Sequence, residues 1–223
     1  MAETIPPSIE DLRKALRSGR PFEKLDAIEA ASKFKQAAAP LIPDLVALLS
    51  SDEYVQCTSL DIEAFGHAVI AERACAALGS IGIMPDIEVL RSVLNDKRVH
   101  ELPEASYDQG AYIGDYGTEY VAPAAIAAKL IEYLGPSGFD LLPEIIENAM
   151  VENEHIGKPS RRVIAMLGHE LGTYSPDEVA AYAAAIETIG SQPEALKPTT
   201  HRGFDLRDLA IFGRRKLAAF RAG

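Results

Sequence analysis

The chain contains no tryptophan, only two cysteines, and fewer bases than acids: 22 Lys and Arg against 33 Asp and Glu, for a formal net charge of −11. Each shortage excludes something. A body this acidic is unfavourable for nonspecific nucleic-acid binding, which needs Lys and Arg to displace counterions from phosphates. Cys57 and Cys75 form a lone C-x17-C pair. That spacing matches no zinc or redox motif and provides no disulfide framework. It fits a reducing, cytoplasmic setting. No uninterrupted apolar run approaches the ~20 residues of a membrane span. The opening MAETIPPSIEDL lacks a basic stretch followed by an apolar one, so it does not read as a signal peptide.

What the chain has is helix. Hydrophobic residues make up 48% of it, enough for a sizeable core, and alanines fall in pairs and triplets such as Ala37–Ala39 and Ala183–Ala185. Small side chains at regular spacing suit helices packed closely along their length. Ser8-x-x-Asp11 predicts a capping box, with a helix to about Arg17 carrying Ile9, Leu12 and Leu16 on one face. Further helices are predicted from Pro21 to Phe34, from near Pro40, from Glu72 to Ile81, from Ile87, from Val121 to Leu134, from Leu142, around Val163 to Leu171, and after Ser175-Pro176.

A phrase recurs at the start of alternate helices: Ile42-Pro43-Asp44-Leu45, Met84-Pro85-Asp86-Ile87, Leu142-Pro143-Glu144-Ile145 and, more loosely, Ser175-Pro176-Asp177. Proline is tolerated in a first helical turn, where its missing N–H would have no partner, and the acid beside it faces the positive end of the helix dipole. Recurrence every few tens of residues is the signature of a helical-hairpin array. Glu72-Arg-Ala-Cys-Ala-Ala-Leu-Gly-Ser-Ile-Gly82, followed by Pro85 and closed by Leu94-Asn95-Asp96, resembles the HEAT-repeat family over about residues 21–189. The resemblance implies an all-α, HEAT-like α-α superhelix of about four hairpins. It would be a single domain over 1–223: an N-terminal cap helix in 1–20, hairpins over 21–190, and a basic C-terminal cap helix in 202–223. The last of these carries Arg202, Arg207, Arg214, Arg215, Lys216 and Arg221 beside an apolar stripe.

Turns inside the hairpins are short, whereas three links between them are long: Ser50–Gly66, Asn95–Tyr120 and Val151–Pro159. In an α-solenoid such links emerge on one edge, and clustered insertions mark a binding face. The first carries Tyr54, Asp61 and Glu63; the third carries Glu152 and Glu154. The second contains the stretch ELPEASYDQGAYIGDYGTEY, with Tyr107, Asp108, Tyr112, Asp115, Tyr116, Glu119 and Tyr120 and, from Glu101 on, no Lys or Arg. Tyrosine supplies contact area at low rotamer cost, and carboxylates steer a basic partner. Two uses of the tyrosines stay open, covering a helical flank or contacting a partner.

Catalytic signatures are missing. There is no G-x-S-x-G, P-loop, dinucleotide-binding phrase or H-E-x-x-H. Two His–Glu pairs, His100–Glu101 and His169–Glu170, fall short of the four found in HEAT-like metal hydroxylases, and adjacent helical residues point about 100° apart, so one pair cannot chelate. The expectation is therefore a noncatalytic protein-binding module without metal or cofactor. Its acidic, tyrosine-rich edge takes a basic protein surface; a bacterial immunity or inhibitor protein masking a toxin is one concrete form. The rival is a HEAT-like enzyme of the metal-dependent hydroxylase or chromophore-lyase type.

Overall fold

The computed structural model describes residues 7–57, 66–102 and 120–190, together with Ala218. The described chain is mostly helical, with two small antiparallel β-pairs. It falls into two compact units, Met1–Ala127 and Ala128–Gly223.

The first unit opens with α1, Ile9–Ser18. Ser8 and Asp11 form the expected capping box: the Asp11 N–H donates to Ser8 Oγ, and the Ser8 N–H donates to Asp11 Oδ2, both at 3.2 Å. These bonds to the ionised form hold the Asp11 carboxyl below its ordinary pKa. Only Leu12 and Leu16 of α1 are buried. Polar contacts complete its attachment. Asp44, with 7% of its side chain exposed, accepts from Arg17 Nε at 2.6 Å and Arg13 Nε at 3.3 Å, and Arg13 also donates to the Pro40 carbonyl.

Helix α2, Pro21–Phe34, buries Ala27, Ile28 and Ala31 and packs between α1 and α4, Ile70–Ile81. On α4 the buried set is Ile70, Ala71, Ala74, Cys75, Ala77, Leu78 and Ile81. Three of these seven are alanine, which lets the two helix axes come close. The Cys75 thiol donates to the Ile126 carbonyl at 3.4 Å.

Between these helices the chain leaves α2 through a seven-residue 3₁₀ stretch, Lys35–Leu41, and enters α3, Ile42–Ala47. Lys35–Ala39, expected as a plain turn, is thus helical, though wound more tightly. Past α4, Gly82 sits at φ +68° and its N–H returns to the Leu78 carbonyl, a left-handed cap that glycine adopts without a Cβ clash. Helix α5, Ile87–Leu94, follows. Here the shared phrase departs from expectation. Pro85 lies outside the helix, because the Asp86 side chain caps the Glu88 and Val89 N–H groups at 2.9 and 3.2 Å. In α3 and in α7, Leu142–Ala149, proline does stand in the first turn; there a 3₁₀ stretch runs straight into the helix, and the Ile42 and Leu142 N–H groups donate to the Ala39 and Phe139 carbonyls.

The second unit takes over within α6, Pro123–Leu134. A second seven-residue 3₁₀ stretch, Gly135–Leu141, leads into α7, which packs on α8, Glu154–His169, and on α9, Pro176–Gly190. The link before α8, expected over Val151–Pro159, is only Met150–Asn153. Asn153 caps the His155 N–H at 3.0 Å, and Pro159 lies inside α8. Arg161 donates to the Ala149 carbonyl at the end of α7, at 2.7 Å. Ser175 caps α9 as expected, with Glu178 answering in a second capping box. Tyr182, fully buried on α9, donates to the Ile164 carbonyl at 2.7 Å and stands beside Phe139. Desolvation pushes its pKa well above the ordinary tyrosine value.

Residues 131–150 repeat residues 31–50. Both runs leave a helix through a residue of positive φ, Lys35 at +51° and Gly135 at +59°. Both then pass through 3₁₀ into a helix with proline at its second position. Most buried positions correspond, among them Ala31 and Ile131, Ala38 and Gly138, Leu41 and Leu141, Leu45 and Ile145, Leu49 and Ala149; the two runs differ at 35 and 135, 39 and 139, and 44 and 144. Where the first run has two alanines, Ala31 and Ala38, the second has a large residue and none at all, Ile131 and Gly138.

Candidate interaction edge

The two longest links have ordered roots, and those roots are strands. β1, Tyr54–Cys57, pairs antiparallel with β2, Gly66–Val69, and the Ile70 N–H donates to the Glu53 carbonyl at 3.0 Å just below the ladder. β3, His100–Glu101, pairs antiparallel with β4, Tyr120–Val121, with His100 opposite Val121 and Glu101 opposite Tyr120. The residues these ladders enclose, 58–65 and 103–119, lie outside the described residues. Asp61, Glu63, Tyr107, Asp108, Tyr112, Asp115, Tyr116 and Glu119 are among them.

The two roots lie side by side. His100 Nδ1 is 3.9 Å from Asp52 Oδ2, joining the segment before β1 to β3. The electrostatics of this edge are mixed, which the loop compositions alone did not reveal. Lys24, a nearly buried base on α2, reaches Glu53 at 2.5 Å. Glu53 is further held by its own N–H donating to Ser51 Oγ at 3.2 Å. Arg98 grips Asp96 through its Nε at 2.8 Å and through Nη2. Those side-chain hydrogen bonds hold the Asp96 carboxyl below the ordinary carboxylate range, against the opposing pull of desolvation, and raise the guanidinium in return. Lys97 donates to the Leu94 carbonyl at the end of α5. Two bases, Lys24 and Arg98, therefore sit among the acids of these roots: Lys24 comes from α2, outside the loop stretches, and Arg98 from the start of the second link, ahead of the base-free run that begins at Glu101.

Of the described candidate residues, Tyr54 is half-buried on β1 and Tyr120 is 37% exposed on β4. Glu152 and Glu154 are exposed and belong to the second unit. Glu154 occupies the first turn of α8, where a carboxylate faces the helix dipole, and it pairs with Lys158 one turn on. The structure thus brings together the first two insertions at their roots, while the third is a four-residue link ahead of a helix.

The His–Glu pairs fall in unlike settings: His100–Glu101 on β3, and His169–Glu170 at the junction of α8 and a 3₁₀ turn, Glu170–Thr173. Among the described residues no group of three or more His, Cys, Asp or Glu is placed to hold a metal ion. No described helix is long and apolar enough to cross a membrane. No family model matches the chain, and no curated protein matches it either.

Proposed function

We propose that this chain is a noncatalytic protein-interaction module built from HEAT-like helical hairpins, and that it binds a basic protein surface through the edge from which its two longest insertions spring. The observation that carries the reading is the approach of Asp52 to His100, which sets the roots of both insertions against each other. Residues far apart in sequence thereby contribute to one surface. The net charge of −11 favours basic partners and speeds their encounter. The hairpin array is supported by three residues of positive φ, Lys35, Gly82 and Gly135, each standing where a first helix gives way to a second.

The test compares the wild-type chain with a variant carrying Tyr112→Ala, Asp115→Ala and Tyr116→Ala in affinity purification from the source cells. A co-purifying basic protein that is lost with the triple variant, and released by raising the salt, supports the reading. A complex that survives the triple substitution unchanged overturns the role of the second insertion.

A further inference from the structure

We draw no further inference here: the strongest candidate, the cluster of Asp52, Asp96, Arg98 and His100 where the roots of the two long insertions meet, belongs to the edge already described, and nothing among the described residues shows what covers it.

Discussion

Gly138 stands where a side chain has no room. A Cβ built there would lie 2.6 Å from Ile131 Cγ2 and 2.9 Å from its Cδ1, well inside contact distance, and Ile131 is fully buried, so it has nowhere to turn. Gly138→Ala is therefore expected to destabilise the second unit by about 1–3 kcal/mol, the range for overpacking a filled core. Ile131→Ala alone removes buried methyl and methylene groups and is expected to cost about 2–5 kcal/mol. The corresponding pair in the first unit, Ala31 and Ala38, shows that the same backbone accepts two alanines. Combining Ile131→Ala with Gly138→Ala is then expected to cost about 1–3 kcal/mol less than the sum of the single changes, because the clash vanishes and part of the cavity is filled. Urea denaturation followed by far-UV circular dichroism measures all four corners of the cycle. Additivity within about 0.5 kcal/mol would refute the correspondence of the two runs, as would a Gly138→Ala variant as stable as wild type.

Lys35→Gly should stabilise by up to about 1 kcal/mol, since φ +51° strains a side chain that Gly135 spares the second copy; urea midpoints decide the sign. Asp44→Ala should cost about 2 kcal/mol by removing two charge-assisted hydrogen bonds from α1, whereas Arg17→Ala, at a residue 64% exposed, should cost under about 1 kcal/mol. Amide exchange in residues 9–18 should rise far more in the first variant. Tyr182→Phe removes the hydroxyl's hydrogen bond to the Ile164 carbonyl and should lower stability by about 1 kcal/mol, read from thermal melts at neutral pH. The Asp96 carboxyl has a depressed pKa, so the grip of Arg98 is fully present above the ordinary carboxylate value near 4 and is lost as pH falls through the lower folded value. Amide exchange at Arg98, whose N–H donates to Asp96, should accelerate only below about pH 4 and should lose that pH dependence in Asp96→Asn.

Helix positions were legible wherever a wide apolar stripe met a capping residue. Leu12 and Leu16 behind Ser8, and Val179 and Tyr182 behind Ser175, place α1 and α9 within a residue or two of where they are found. Small departures trace to local hydrogen bonds that a pattern does not display, such as Asp86 taking the cap and leaving Pro85 outside α5. The 3₁₀ stretches were read as turns because their side chains carry no 3.6-residue period. The strands were missed for a similar reason, since two to four residues are too few to establish alternation. At the proposed interaction edge, loop composition exposed the acids and tyrosines at once. It could not expose Lys24, because its partnership with the root of the first link arises only when α2 is folded against it.

The short ladder of β3 and β4 has a consequence for how freely the surface can change. Facing residues in an antiparallel pair lie about 5 Å apart, so His100–Glu101 and Tyr120–Val121 bring both ends of the second insertion to neighbouring points whatever runs between them. Lengthening a flexible span whose ends are already joined costs only about 0.6 kcal/mol per doubling. The ladder is thus a mounting bracket. New segments can be exchanged between residues 102 and 120 while the helices beneath keep their packing, so diversification of this surface is decoupled from the stability of the frame that presents it.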